Sequence, residues 1–558
     1  MTNNQNNSLP PVSCPTWQNW SGNLVHQPAL DGVNYYFAPT NFADLKAAVA
    51  TVAQVKGATL RVSGQRHSQP PLVANDNRGA VPKTTTDYLV DMACYQDLGP
   101  NKDQRIVPGP GPNQVTANVG VREDELDAFL TANNLMLQTV TAGGFFSVGG
   151  MTAVDVHGAT VDAPIFAETA AAFTILLANG TVTTIDARTP AVGGWSPLQF
   201  ARVSLGGLGV VTSVTLDVLP RPYATTLQGG RARYLLKDKQ SFISQFQTLL
   251  SSHTRLETFF TPYAAAANLP IVPPMPNFLA LWWDVVANPQ PQTPNSAPAQ
   301  ENACGLAGDG DYGAPVVGGV GALLQPFIVK SQQFTSAFYP PFAIPPIPPS
   351  GIAAIALDTI EKQVDAANSA YSELWLSEAA QVIFMSYYIP LPDLQAAGLG
   401  LVWDGLDVVS RIVTQDNNFH IAAPMEFRFV KGGDSAMSGA YTDKPGTWFV
   451  NLDLIAWVDP TQTSAQYPAK LLQCFADAER VWVNMGGFTH NGKMFGFYDP
   501  AAPPGTYSST GPFNPNFLAS LQASRGARLQ AYKSYRQGLD PRGLFYNEYL
   551  QQILEPGS

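Results

Sequence analysis

Three observations in the sequence predict an α+β fold, built of strand pairs with interspersed helices. From about Asn34 to Pro220, β-branched runs alternate with helical segments. No strict G-x-G-x-x-G opens a βαβ unit, so the ordinary doubly wound dinucleotide fold fails its own test. From about Arg221 to Met494 the character changes, and Pro-rich stretches separate helical segments. Proline cannot join the interior of a helix or sheet, so these stretches read as ordered loops or linkers.

In chain order, FAPTNFADLKAAVATVAQVKG reads as a strand end, a turn with Asn41 as N-cap, and an amphipathic helix carrying Leu45, Val49 and Val52 on one face. ATLRVSGQRHS is a strand running into a loop, TDYLVDMA a further strand and GVREDELDAFLTANNL a second helix. FTILLANGTVTTID is a hairpin turning at Asn179-Gly180, and VVTSVTLDVLP is the strand that closes the region. Beyond it, SFISQFQTLLSSH and DTIEKQVDAANSAYSEL are helical. They lie among the Pro-rich tracts 271–279, 286–298 and 339–351, long loops of the kind that often bind or cover ligands. From Arg525 to Leu554 a helix is followed by the turn LDPRGLFYNEYL, ending on a strand or short helix.

Composition narrows the function classes. At roughly 150 residues per domain, 558 residues suggest about three or four folding units, or two large ones. Charged residues are only 13% and hydrophobic ones 45%, which excludes disorder and coiled coil. The 42 acids exceed the 31 bases, for a net charge of -11, and no Lys/Arg run occurs. Nucleic acid and anionic membrane are therefore poor partners. Cys14, Cys94, Cys304 and Cys474 are far apart without C-x-x-C spacing, so no metal site is expected. No stretch of 18 or more apolar residues appears, and no integral membrane segment is expected. The polar start MTNNQNNSLPPVSCP lacks the pattern of a secretory signal, leaving a cytosolic location or a removed export signal both open.

Three glycine-bearing segments stand out as candidate ligand loops. RVSGQRHSQ puts His67 in a loop just after a strand. TAGGFFSVGGMTAVDVHG places Gly143, Gly144, Gly149 and Gly150 before His157-Gly158, and SLGGLGVVTSVTL places Gly206, Gly207 and Gly209 before a strand. Grouped glycines let backbone N–H groups approach a phosphate or a flat ring, although turns need glycine as well, and a lone histidine reads equally as a core side chain.

Taken in order, PTNFADLKAAV, RVSGQRHSQ, GVREDELDAFLTANNL, SVGGMTAVDVHG, SLGGLGVVTSVTL and LDPRGLFYNEY resemble the vanillyl-alcohol-oxidase family of FAD-linked oxidases over most of the chain. The resemblance implies FAD as cofactor, bonded through its 8α-methyl to His67 in a loop of Ser63, Gly64, Gln65, Arg66 and Ser68. Relatives commonly have glycine beside the histidine, where this chain has Arg66. It further implies flavin contacts from Gly144, Ser147, Val148, Gly149, Gly150, His157 and Gly158, from Gly207, Gly209, Val210 and Val211, and from Lys493. Asn547 is expected to close the flavin domain. Some members add a cysteinyl link; no Cys lies between Cys94 and Cys304, so a single link is expected.

The second half is most similar to one branch, the covalent-flavin type II bacterial cholesterol oxidases. On that likeness Glu257 in LETFFTPY, Glu426 and Arg428 in APMEFRF, and Asn451 in TWFVN are the catalytic candidates. In an extended strand Glu426 and Arg428 point to one side. The guanidinium suits negative charge developing on substrate oxygen or flavin, and the carboxylate accepts the hydroxyl proton as hydride leaves. Asn451 is expected to donate to the substrate oxygen, and Glu257 to act near the substrate as part of a gate. A same-face salt bridge and a capping asparagine are the plain alternatives. THNGKMFGF carries His490 and Lys493 where sugar-oxidising relatives show H-W-G-K, with Asn491 in place of the tryptophan.

The low charge and the tracts LALWWDVV and FYPPFAIPPIPPSGIAAIAL lead to the expectation of an oily cavity, although the same tracts read as core strand and linker. The expected function is FAD-dependent oxidation of a hydrophobic secondary alcohol, sterol-like, to a ketone with double-bond isomerisation, O2 taking the electrons and H2O2 leaving. On that reading the protein visits membrane surfaces to extract substrate. The alternatives are an aldonolactone or alditol oxidase, a flavin dehydrogenase, or a flavin or sterol binder without turnover. The resemblance implies a flavin domain of two subdomains from residues 1–222 and 496–558, and a substrate (cap) domain, 223–495, with a large antiparallel sheet flanked by helices.

Overall fold

The Asn41 side chain accepts the Asp44 N–H at 3.0 Å and starts the helix Phe42–Ala53, whose Leu45, Ala48, Val49 and Val52 are buried. This helix packs on a parallel sheet ordered Tyr36–Phe37, Asp87–Asp91, Thr59–Ser63. Here and below, the computed structural model describes residues 16–221, 225–263, 276–287, 319–333, 349–366, 373–376, 381–415, 419–508 and 511–555. A five-stranded antiparallel sheet follows, ordered Val182–Asp186, Ala170–Leu176, Val210–Asp217, Gln114–Asn118, Ile106–Pro108. The hairpin turns at Asn179-Gly180 as its sequence predicts. The helix Glu123–Ala132 and the short helix Val148–Ala153 connect these strands, the latter capped by Ser147 Oγ accepting from Gly150 N at 3.3 Å.

The chain's end returns to the first sheet. Leu60 N donates to Leu544 O at 2.7 Å, and the buried Arg61 guanidinium donates to the carbonyls of Leu72, Leu205, Gly206 and Phe545. The helix Pro515–Leu539 contributes Tyr532, whose hydroxyl donates to Ser204 O at 2.5 Å. A short helix, Glu548–Leu554, ends the chain's last turn.

The largest sheet has seven strands, ordered Thr225–Tyr234, Phe278–Ala287, Leu256–Phe260, Met425–Lys431, Trp448–Trp457, Val382–Leu391, Phe488–Thr489, with antiparallel neighbours. The alternation of side chains assigns its two faces. On one face Phe278 and Phe427 pack against Phe242 and Phe246 of the helix Lys239–Ser252. That helix packs in turn against Ala396–Thr414, which meets Ala469–Asn484. Glu426 and Arg428 therefore face the other way. Also away from these helices, Phe259, Leu279, Leu281 and Trp283 close a separate apolar cluster with Leu357, Val364 and Trp375.

LALWWDVV is thus core strand. Of the Pro-rich tracts, 271–275, 288–298 and 339–348 lie outside the described residues, as does the N-terminal segment 1–15. Residues 349–351 begin the helix Pro349–Ala366. Among the described residues no helix is long and apolar enough to cross a membrane, and no His/Cys/Asp/Glu group could hold a metal ion.

Candidate active site

Where the loop after Thr59–Ser63 meets the helix start at Ser147 and the bare face of the large sheet, the structure holds a cavity of about 280 Å³. One wall is the segment Ser63–Ser68, with Arg66 in the left-handed region at φ 58°. Arg66 is buried, donates to Tyr36 Oη at 2.9 Å and pairs with Asp91, so side-chain anchoring holds a backbone conformation usual for glycine.

His67 lies between aromatic rings: stacked on Phe145 and Trp20 at centroid distances of 4.7 and 5.4 Å, with Phe146 edge-on at 4.8 Å. Burial, then Lys493 and Arg122, push its imidazole down to about 3, so the ring is neutral at any ordinary pH. Its Nε2 has no hydrogen-bond partner among the described residues.

Another part of the lining is charged. Glu426 lies directly across from Asp453, and Arg428 from Asn451, in the strand pair Met425–Lys431 and Trp448–Trp457. Arg428 pairs through Nε with Glu426 Oε1 at 2.6 Å and through Nη2 with Glu257 Oε1 at 2.8 Å. Trp375 Nε1 donates to the other Glu257 oxygen at 3.1 Å. Burial pushes Glu257 up to about 7, with Arg428 pulling it down and Glu426 pushing it up. Asp453 is also pushed up to about 7 by burial and by Glu426, against Lys493, Ser386 and Arg428. Burial lowers Lys493 while Asp453 and Glu426 hold its proton; its Nζ sits 3.8 Å over the Phe384 ring. Glu257, Glu426 and Asp453 thus face two cations, Arg428 and Lys493. Beside them, Arg255 and Glu373 form their own buried pair at 2.7 Å. One carboxylate in excess of the local cations makes the cluster a proton acceptor, because an uncompensated buried charge is costly.

The His490–Lys493 loop is locked from behind. Asp155 accepts Gly439 N, Asn491 N and Asn491 Nδ2 at 2.9, 2.8 and 2.5 Å, while Arg525 donates to Asn491 Oδ1 at 2.9 Å. Asn491 is therefore a tether. His490 Nδ1 accepts the Gly492 N–H at 2.9 Å, its ring stacks on Tyr388, and His157 approaches edge-on at 6.1 Å. Burial holds both histidines well below their ordinary range.

Of the residues singled out in the sequence, Ser63, Gly64, Gln65, Arg66, His67, Ser68, Ser147, Gly149, Gly150, His157, Gly209, Val211, Lys493, Glu426 and Arg428 line the cavity. Others sit behind it. Gly144, Val148, Gly158, Gly207 and Val210 pack one layer back, Val148 and Val210 in the core. Asn547 caps the last helix through Leu550 N and donates to Pro71 O, which closes the fold without facing the cavity. Asn451 donates to Ser386 Oγ at 3.0 Å, and Glu257 backs Arg428, so neither is on the cavity wall. The sequence reading passed over Asp453, although it lies two residues beyond Asn451 on the same strand face. Period-two alternation carried through TWFVNLD would have found it.

A family model described as D-arabinono-1,4-lactone oxidase matches residues 362–553. The chain is similar to D-arabinono-1,4-lactone oxidase of Yarrowia lipolytica, 23% identical over 47% of this chain and 46% of that one. It is also similar to L-gulonolactone oxidase of Mus musculus, 25% identical over 37% of this chain and 40% of that one. L-gulono-1,4-lactone dehydrogenase of Mycobacterium tuberculosis is 26% identical over 45% and 51% respectively. The chain thus spans about half the length, or less, of these relatives. Among solved structures, cholesterol oxidase from B. sterolicum superposes with a TM-score of 0.67 at 14% identity, covering 97% of this chain and 96% of that one.

Fold and matches together support a class: an FAD-linked oxidase of the vanillyl-alcohol-oxidase type, with FAD as its cofactor. The expected sterol-like substrate is overturned. The relatives found by sequence carry the names of sugar-lactone enzymes, and likeness to cholesterol oxidase at 14% identity extends to the fold alone. The physical reason lies in the cavity. The apolar side chains that suggested an oily pocket, Leu279, Leu281 and Trp283, fill the closed cluster around Trp375, and the cavity is lined by Glu426, Arg428, Asp453 and Lys493 instead.

The residues present fit FAD. At the cleft Gly64 and Gly209 leave no room for a side chain: a Cβ at Gly64 would collide with Ser147 Oγ, and one at Gly209, φ 142°, would come within 2.6 Å of Ile175 Cγ2. His67 Nε2 and His157 Nδ1 are buried polar atoms without partners among the described residues, both at this cleft.

Proposed function

We propose that this protein oxidises a secondary hydroxyl of a polyhydroxylated sugar lactone, the aldonolactone class, using FAD. The observation that carries the reading is the ionic group of Glu426, Arg428, Asp453 and Lys493 lining the same cavity as His67. Such a group solvates hydroxyl and lactone oxygens and is costly to place against an apolar ring system.

FAD, when bound, supplies the hydride acceptor. Arg428, charged throughout the working pH range beside Glu257 and Glu426, holds the substrate oxygen and offsets the negative charge that grows on it. Glu426 takes the hydroxyl proton, a contribution worth about 10²–10⁴-fold when well placed. Glu257, behind Arg428, fixes the guanidinium and keeps it from satisfying itself on Glu426 alone. Lys493 balances Asp453 and the Glu426 side of the cluster. His67, buried and neutral with Nε2 free of partners among the described residues, would be the residue to hold the flavin ring.

The test is anaerobic mixing of purified holoenzyme with D-arabinono-1,4-lactone, L-gulono-1,4-lactone and, separately, an apolar secondary alcohol. Loss of flavin absorbance with a lactone, and peroxide release in air, is the expected result. Flavin left unchanged by every lactone while the apolar alcohol bleaches it would overturn the reading.

A further inference from the structure

We infer that Asp453 is a specificity-determining residue that accepts a hydrogen bond from a second substrate hydroxyl, adjacent to the one oxidised, so that the site selects vicinal diols. The inference rests on the sugar-lactone reading and narrows it. Asp453 stands directly across from Glu426, and residues so paired carry their Cβ atoms about 5 Å apart on one sheet face. Both side chains line the cavity, which therefore presents two carboxylates side by side.

Their partners differ. Glu426 is held by Arg428 at 2.6 Å. Asp453 is buried, with 4% of its surface exposed, and its Oδ1 has no hydrogen-bond partner among the described residues. Ser386, directly across on the adjoining strand, accepts from Asn451 Nδ2 at 3.0 Å and turns its hydroxyl to Asp453, which leaves Oδ1 as the carboxylate oxygen without a donor. A buried carboxylate oxygen aimed into a cavity without a donor is unfavourable until a ligand brings one. A substrate with a single hydroxyl satisfies Glu426 and leaves Asp453 Oδ1 without a donor. Two adjacent hydroxyls satisfy both, and burial that raises Asp453 leaves it largely ionised, as an acceptor, at mildly alkaline pH. The penalty against a substrate lacking the second hydroxyl is the cost of that unmet acceptor, the strongest form of polar discrimination.

The experiment compares wild type, Asp453→Ala and Asp453→Asn holoenzymes on D-arabinono-1,4-lactone and its monodeoxy analogues, by kcat/KM and by calorimetric Kd under anaerobic conditions. Wild type is expected to disfavour one deoxy analogue roughly 10- to 100-fold, the range of a hydrogen bond to a charged group. Asp453→Ala should lower kcat/KM on the parent lactone by a similar factor and abolish the difference between parent and analogue. Asp453→Asn, which keeps the volume and one acceptor, should restore part of it. Equal losses on parent and analogue in both variants, or unchanged discrimination, overturn the inference while the lactone reading stands. Wild-type flavin that no lactone reduces overturns the lactone reading instead, and the inference with it. Unchanged flavin absorbance and melting temperature in Asp453→Asn exclude misfolding as the cause of a loss.

Discussion

Replacing Arg428 with methionine removes the cation on which the buried wall depends. The guanidinium contacts Glu257 at 2.8 Å and Glu426 at 2.6 Å, and 5% of the Arg428 side chain and 1% of that of Glu257 are exposed. Methionine keeps much of the volume, so the loss is electrostatic. Breaking a buried pair by removing one partner costs about 3–5 kcal/mol. Glu257 is already raised to about 7 by burial, with Arg428 the largest influence pulling it down. Without Arg428 it titrates higher, so the folded state keeps its proton above pH 7 while the unfolded chain has released it. A carboxyl raised in this way favours folding below its unfolded value and loses that contribution as pH rises through its folded value. The stability gap between wild type and Arg428→Met should therefore widen above pH 7, by about 1.4 kcal/mol per pH unit for the one proton. Melting temperatures of both proteins from pH 7 to 9, read by circular dichroism, measure the gap. The double variant Glu257→Gln/Arg428→Met should melt above Arg428→Met and show no widening, since a neutral amide replaces the stranded acid. A gap constant with pH, or a double variant no more stable than the single one, would refute the reasoning.

A denaturing gel of acid-treated wild type should fluoresce from bound flavin, and His67→Ala should be dark; a fluorescent His67→Ala band would place the link elsewhere. The rate of flavin reduction by lactone should rise to a plateau as pH passes through about 7, where Glu257 and Asp453 titrate as a coupled cluster and the wall gains its capacity to accept a proton; a flat profile from pH 5.5 to 9 would contradict it. Gly64→Ala should fold yet carry far less flavin per protein by absorbance ratio, because its methyl meets Ser147 Oγ at the cleft, and full flavin content would show that the cleft has room. Asn41→Ala should cost about 1 kcal/mol by loss of the N-cap, seen as a small drop in melting temperature without change in flavin content.

Local elements were legible because each has a local cause. Asn41 caps its helix, Asn179-Gly180 turns its hairpin, and the run ATLRVS is a strand that delivers His67 to a loop. The glycine-bearing part of the cavity was legible for the same reason, since glycine at Gly64, Gly149 and Gly209 is a signal visible residue by residue. The substrate was misread because composition cannot tell which side of a strand is occupied. LALWWDVV is as apolar as a pocket lining would be, yet Leu279, Leu281 and Trp283 are spent on Trp375 and the helix Pro349–Ala366.

The sequence by itself determined the fold class, which follows from periodicity and turn chemistry within a few residues, while the His67 loop and the Glu426/Arg428 pair were singled out through a family resemblance. Only the tertiary structure decided that Glu257 stands behind Arg428, that Asn451 turns to Ser386, and that Asp453 faces the cavity beside Glu426. Those roles depend on which strands become neighbours across 169 residues from Glu257 to Glu426, and on how burial then shares protons among the acids so gathered. Pairing and burial are properties of the assembled sheet, and no single stretch of chain contains them.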